Sequence, residues 1–340
     1  MKEYIIEKKD SGQRSDKYIA RLLPNASKGF IYKMIRKKNI VLNDSKMSGN
    51  EILKEGDSVK FWLSDDTFDK FSSLSNTEDT DEYIKAYRTL GYDIEILYEN
   101  DDFIILNKPA GVLSQRSDSG DVSLNEWLIG YLLEKGRIKA DSLNICKPSV
   151  VNRLDRNTSG IVLAGRSVYG LNTLSKMVRE RQIKKYYLAY VLGELNGKGL
   201  LEGYHLKDED HNKVKIIDTK TYESLSDSAK KDYSYIKTGY EVLSHHDLNG
   251  TVITKLSVDL ITGRSHQIRA HMAHIGHPLL GDVKYGERRI NDRYSLKHQL
   301  LHAYKVVFPT DEALGELSGR DITCLHGNPE VFGALFSKNW

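Results

Sequence analysis

Val150-Val151-Asn152-Arg153-Leu154-Asp155-Arg156-Asn157-Thr158-Ser159-Gly160-Ile161-Val162-Leu163-Ala164 is the stretch from which the rest of the chain is understood. Two apolar runs, each the length of a buried strand, bracket a polar loop with one carboxylate between two arginines. Thr158-Ser159-Gly160 adds short hydroxyls and a permissive backbone on the way into the second strand. Opposite charge within about 4–6 Å favours the ionised form of a carboxylate, which suits a nucleophile or general base and not a proton donor. The plainer alternative is a loop Asp satisfied by backbone amides and surface arginines.

Around this loop the chain divides by composition. At 340 residues it has room for one large domain and a small one. Residues 1–63 carry 14 Lys/Arg against 8 Asp/Glu. Ser15 is placed to cap a helix carrying Ile19, Leu22 and Leu23. Ser27 is placed to cap a second, with Phe30, Ile31, Met34 and Ile35 on one face and Lys33, Arg36, Lys37 and Lys38 on the other. That compact basic face fits a phosphate backbone. Residues 64–82 reverse the sign, with 7 acidic residues and one lysine, and predict a flexible acidic linker over 64–88. A larger domain over 89–310 and a C-terminal extension over 311–340 follow.

Within the larger domain, Phe103–Leu106 leads into Asn107-Lys108-Pro109-Ala110-Gly111-Val112, a strand and a turn. Ser123 and Glu126 have the spacing of a capping box for a helix with Leu124, Trp127, Leu128, Tyr131 and Leu132 inward. Lys185-Tyr186-Tyr187-Leu188-Ala189-Tyr190-Val191-Leu192-Gly193 is apolar or aromatic on both faces, as in a strand covered on both sides. In Thr262-Gly263-Arg264-Ser265-His266-Gln267-Ile268-Arg269-Ala270-His271-Met272-Ala273-His274-Ile275-Gly276-His277-Pro278, positions 268, 272 and 275 predict a helix that stops at Gly276. Its histidines tempt a metal assignment, but His271 and His274 are three apart and the helix holds no Asp or Glu. No metal is expected. Residues 205–235 are polar and without a clear period. Two cysteines, Cys146 and Cys324, make neither a disulfide framework nor a zinc pattern.

Arg153-Leu154-Asp155-x-x-Thr158-Ser159-Gly160 resembles the active-site loop of the RluA/RluC/RluD family of pseudouridine synthases, the RluC type most of all. The Asn-Lys-Pro-x-Gly string, the Lys-x-Tyr-x-Ala-x-Val-x-Gly strand and the His-Gln-Ile-Arg helix resemble the family's other motifs. Gly12-x-Arg14-x-Asp16-Lys17-Tyr18-Ile19, a Leu-Pro pair and Gly56-Asp57-x-Val59 resemble an S-four-type (alpha-L) RNA-binding domain. The resemblance implies an α+β synthase fold, a mixed and mostly antiparallel sheet with a central cleft, preceded by that small RNA-binding domain over 1–63. It implies isomerisation of uridine to pseudouridine in structured RNA, with Asp155 as the catalytic carboxylate. Arg269 is its implied ion-pair partner, with Arg264 as the second candidate, and Tyr187 the platform for the target base. Arg153 takes the space of the flipped base. Arg156, Arg264, Lys33, Arg36, Lys37 and Lys38 are expected to contact RNA. Asn152 stands where the family has His, which implies altered loop anchoring with the chemistry kept.

No cofactor is required, because the reaction changes neither redox state nor group ownership. The expected partner is ribosomal RNA of the large subunit, acted on by a cytoplasmic monomer with no membrane span. Three alternatives stand beside it: the same chemistry on transfer RNA, a non-catalytic ribosome-assembly factor on the same fold, and a glycoside hydrolase. The last needs a second carboxylate about 5–9.5 Å from Asp155.

Overall fold

The computed structural model describes residues 1–340 apart from 73–79, 91–93, 119, 145, 209–212 and 326–340. The described residues form two compact units. One is made of Met1–Leu106, Ser114–Arg153 and Val162–Lys176, the other of Asn107–Leu113, Leu154–Ile161 and Met177 onward.

The first unit begins with β1 (Lys2–Ile5), α1 (Ser15–Leu22), α2 (Lys28–Arg36), β2 (Ile40–Leu42) and β3 (Ser58–Phe61). The strands form an antiparallel sheet in the order β1-β3-β2. Ile19, Leu23, Ile31, Ile35, Ile40 and Phe61 fill its core, each contributing about 1.5–3 kcal/mol by burial. Ser27 caps α2, its hydroxyl accepting from the Phe30 N–H at 3.2 Å. The helix buries Ile31, Met34 and Ile35 and leaves Lys33 and Arg36 exposed, with Lys37 and Lys38 exposed just beyond it.

Two local expectations are corrected here. Ser15 does not cap α1. It is the first helical residue, and its hydroxyl donates to Glu51 at 3.0 Å. That carboxylate also collects the N–H groups of Ser48 and Gly49, and an ionised acceptor attracts the hydroxyl more strongly than a neutral amide can. Nor is 64–88 a featureless linker. Its described parts hold α3 (Asp65–Ser72) and α4 (Asp81–Thr89). Phe68 of α3 is buried, edge-on to Phe61 at 5.3 Å and stacked on Tyr4 at 6.1 Å. Two aromatics three residues apart, Phe68 and Phe71, suffice to dock a helix whose acidic positions, Asp65, Asp66 and Asp69, are exposed.

The unit continues with β4 (Glu95–Glu99), β5 (Phe103–Lys108), α5 (Leu124–Glu134), β6 (Ser149–Val150), β7 (Ser159–Gly165) and α6 (Val168–Arg179). Strands run β7-β5-β4, and β6 pairs with β7. Ser123 is the N-cap of α5, but its hydroxyl accepts from Asn125 and donates to the Glu126 carboxylate at 2.5 Å, so the reciprocal box is not formed. Asn152 anchors the loop before β7, its Oδ1 accepting the Leu163 N–H at 2.7 Å.

The second unit supplies β8 (Lys184–Leu192), β9 (Lys198–Asp208), β10 (Lys213–Ile217), α7 (Thr219–Glu223), α8 (Asp227–Lys230), β11 (Ser234–Leu248), β12 (Thr251–Asp259), α9 (Gln267–His274), α10 (Arg288–Arg293), β13 (Leu301–Val307) and β14 (Asp321–Thr323). The described part of 205–235, silent in the sequence, therefore holds the end of β9, β10 antiparallel to it, two short capped helices and the start of β11. Strand order is β10-β9-β11-β12-β8-β13, all antiparallel, while the start of β7 runs parallel to β13. The sheet is mixed and mostly antiparallel, and the class is α+β. Among the described residues no helix is long and apolar enough to cross a membrane.

Candidate active site

β13 brings the site together. Its Ala303 pairs with Gly160 on one side and with Tyr187 of β8 on the other. The loop that carries Asp155 therefore ends two strands away from Tyr187. Gly160 is obligatory for this approach. Its φ is +113°, and a Cβ there would lie 2.2 Å from the Ala303 carbonyl oxygen. The neighbouring hydroxyls are fixed as well. Thr158 accepts from Gln299 Nε2 at 3.1 Å. His302 Nε2 donates to the Cys324 carbonyl, so its Nδ1 is left to accept the Ser159 O–H at 2.9 Å.

Lys108 closes the loop from beneath. It is fully buried, and its ammonium donates to the carbonyls of Pro109, Val112 and Arg156 at 2.9, 2.8 and 3.0 Å. Burial pulls this ammonium down to about 7, against the opposing charge of Asp155. Three carbonyls match the three N–H bonds of the charged form, and a neutral amine could satisfy only two of them. The ammonium is the form that fits.

Asp155 is the partly open carboxylate at the centre, its side chain 30% accessible. Its Oδ2 accepts from Arg269 Nη1 at 2.8 Å. Arg269, on the inward face of α9, is almost wholly buried and turns its other edge to Asp282 in a bidentate pair, Nε to Oδ2 at 2.7 Å and Nη2 to Oδ1 at 2.9 Å. Asp282 has no exposed surface, and its Oδ1 also accepts the N–H groups of Lys284 at 2.8 Å and Tyr285 at 3.1 Å. Desolvation works against this carboxylate, but the Arg269 contact and the two amides prevail and hold it below the usual range. The Arg269 guanidinium also lies 5.3 Å from the Tyr285 ring centroid. A buried carboxylate thus fixes a buried guanidinium, which presents one free N–H edge to the half-open carboxylate. Among the described residues, Asp155 Oδ1 has no hydrogen-bond partner.

Tyr187 is buried, and burial with the charge of Asp155 behind it keeps its hydroxyl well above the usual tyrosine range. It holds its proton at neutral pH and is no base. His266, at the turn into α9, places Nε2 3.9 Å from Asp155 Oδ2. Burial, opposed by Asp155 and aided by Arg269, keeps this ring below the usual histidine range, so the pair is a neutral ring beside a carboxylate and not a salt bridge.

The structure brings together Asp155, Tyr187 and Arg269. It leaves Arg264 exposed, its backbone N–H on Gln267 Oε1 at 3.1 Å. Arg153 and Arg156 are also exposed, and the arginine that ion-pairs with Asp155 among the described residues is Arg269 rather than either sequence neighbour. Lys33, Arg36, Lys37 and Lys38 lie on the open face of α2 and just after it. Sequence reasoning missed Asp282, Tyr285 and the ring of His266. The available signal was a carboxylate directly after Gly281. That glycine needs φ +80°, with a Cβ there only 2.0 Å from the His298 carbonyl, and so marks a closely packed turn. Among the described residues, no group of three or more His, Cys, Asp or Glu side chains could hold a metal ion.

The family model for RNA pseudouridylate synthase matches residues 102–274. The ribosomal large subunit pseudouridine synthase C of Buchnera aphidicola subsp. Baizongia pistaciae is 31% identical over 89% of this chain and 88% of its own. An uncharacterised RNA pseudouridine synthase of Mycoplasma genitalium is 29% identical over 90% of this chain and 89% of its own. Among solved structures, human RNA pseudouridylate synthase domain containing 4 shares the fold. Its TM-score is 0.54 at 18% identity, over 74% of this chain and 94% of that one.

Proposed function

The chain belongs to the RNA pseudouridylate synthase family, and from that premise we propose that it isomerises particular uridines of large-subunit ribosomal RNA, with Asp155 as the carboxylate that starts the reaction. The observation that carries the assignment of Asp155 is its setting. It is a half-open carboxylate with one oxygen pinned by Arg269 and the other without a protein partner among the described residues. Chemistry that breaks a glycosidic bond and rejoins the uracil through carbon five needs one such group, pre-oriented and charged. Tyr187 serves as the ring against which the base rests, as the resemblance implies and as its place on β8, opposite Ala303 of β13, supports. Ribosomal RNA is favoured over transfer RNA by the named target of the Buchnera relative. The exposed Lys33, Arg36, Lys37 and Lys38 supply the phosphate contacts of a separate capture surface, and residues 1–63 are the RNA-binding domain that carries it. Pulling the target base from its stack costs a few kcal/mol, which such contacts offset.

The test is to map pseudouridines by carbodiimide-adduct primer extension in the RNA of a deletion strain and of the same strain complemented with Asp155→Asn. Loss of specific pseudouridines from large-subunit ribosomal RNA in both is expected. Loss confined to transfer RNA would move the target, and no loss would refute the function.

A further inference from the structure

The ring of His266 is committed to nothing that the fold alone requires. His266 is the N-cap of α9, yet its side chain makes no capping bond. Its backbone is left-handed, φ 52° and ψ 18°, a region that few non-glycine residues occupy. From that turn the imidazole faces Asp155.

The hydrogen bonds around the ring orient its proton. The Val214 N–H donates to Tyr285 Oη at 2.8 Å. Among the described residues His266 Nδ1, 3.0 Å away, is the acceptor left for the proton of that hydroxyl, which assigns the tyrosine as donor and Nδ1 as acceptor. The two rings meet edge to face, with centroids 5.7 Å apart at 79°. A neutral imidazole that accepts at Nδ1 carries its hydrogen on Nε2. Nε2 is the atom 3.9 Å from Asp155 Oδ2. That separation is too long for a direct hydrogen bond and leaves room for a substrate atom to touch both groups.

We propose that His266 is a catalytic residue whose Nε2–H donates a hydrogen bond to an oxygen of the reacting nucleotide lying against Asp155, with Tyr285 as the positioning residue that sets the tautomer. The acceptor is a uracil carbonyl or a ribose hydroxyl, both oxygens that gain or redistribute charge as the glycosidic bond breaks. No proton need leave the ring. The proposal rests on the uridine-isomerising function given above.

The experiment is single-turnover tritium release from a ribosomal RNA transcript labelled with [5-³H]uridine, at saturating RNA, because a new bond at carbon five releases its hydrogen. His266→Phe keeps the ring packing and loses the donor. Its rate at saturation should fall about 10- to 100-fold with KM little changed, the range of one well-placed hydrogen bond. His266→Gln, which can return an N–H near the Nε2 position, should recover part of the loss. Tyr285→Phe keeps the ring over Arg269 and should give an intermediate fall. In ¹⁵N-edited spectra of the free enzyme, His266 should show a pyridine-type Nδ1 and a pyrrole-type Nε2, and Tyr285→Phe should mix the two forms. Repeating the His266→Phe comparison on transcripts with 2′-deoxyuridine at the mapped position separates the acceptors. An effect that vanishes there assigns the hydroxyl, and one that persists assigns the carbonyl.

A His266→Phe enzyme at the wild-type rate, or a native Nδ1–H tautomer, overturns the proposal. A wild-type enzyme that releases no tritium from any RNA would instead overturn the function, and the spectra would still decide the tautomer.

Discussion

Asp282→Asn is the sharpest perturbation of the site, because it deletes one charge and moves almost no atoms. The native carboxylate accepts four hydrogen bonds, two from Arg269 and one each from the Lys284 and Tyr285 amides. An asparagine whose oxygen stays with Lys284, Tyr285 and Arg269 Nη2 must turn its NH2 group toward Arg269 Nε, donor against donor. Removing one member of a buried ion pair costs roughly 3–5 kcal/mol. Arg269 keeps Asp155 as a partner, so the lower end applies and about 3 kcal/mol of unfolding free energy should be lost. Urea denaturation checks this as a lower midpoint at unchanged slope. The guanidinium, no longer held on its far edge, should also loosen its hold on Asp155 Oδ2, so single-turnover pseudouridine formation should fall by at least tenfold. A double variant, Asp282→Leu with Arg269→Met, separates the two effects. Apolar replacement of a buried pair is often neutral in stability, so the double variant should regain much of the loss while remaining inactive. A cost below 1 kcal/mol for Asp282→Asn, or a wild-type rate, would refute the carboxylate–guanidinium–carboxylate chain as the device that orients Asp155.

Asp155→Asn should fold and bind RNA with wild-type affinity yet form no pseudouridine, and product above background in a single-turnover assay would count against it. Tyr187→Phe should keep substantial activity if the ring face is what matters. A Phe variant as slow as Tyr187→Ala, with a loss of about 10²-fold or more, would show that the hydroxyl moves a proton. His271 is buried, shares a hydrogen bond between Nδ1 and the Thr238 hydroxyl at 2.9 Å, and is pushed down to about 4 by desolvation and its histidine neighbours. The folded value lies below the unfolded one near 6.5, so between the two the unfolded chain binds the extra proton. Stability from this group is complete above pH 6.5 and is lost as pH falls toward 4, about 3 kcal/mol in all. Equilibrium unfolding from pH 7 to 4 should be flatter in His271→Gln than in the wild type, and identical slopes would rule it out. Changing Lys33, Arg36, Lys37 and Lys38 to Gln should make log K against log salt shallower by roughly 2–3 units, with single-turnover rate at saturating RNA unchanged. Substitution is a cleaner test than deletion of residues 1–82, because α4 begins at Asp81 and the Tyr83 carbonyl lies against Gly130 of α5, where a Cβ would come within 2.0 Å.

What the sequence alone determined was whatever repeats with a local period or depends on residues near one another in the chain. The strand at Ile40–Leu42, the doubly covered β8, the cap at Ser27 and the stop of α9 before Gly276 are all of that kind. So is the Asp155 loop, whose arginines, hydroxyls and glycine lie within eight positions. Composition misled at Asp65–Ser72, where acidic residues outnumber the apolar ones but Phe68 is buried in the core and Phe71 packs against it. A helix needs one buried face, not a favourable average. Tertiary structure forms the ion pair of Asp155, whose partner only the family resemblance implied and no local spacing indicated. Arg153 and Arg156 are its neighbours in sequence, yet Arg269, 114 positions away, makes the 2.8 Å contact. It also decided the positions of Asp282, Tyr285 and His266, whose types and spacing carry no period and whose meaning is a distance. An ion pair is set by separation and by exclusion of water. In a chain folded back across β13 both depend on which strands are neighbours, and the linear order of residues does not record that.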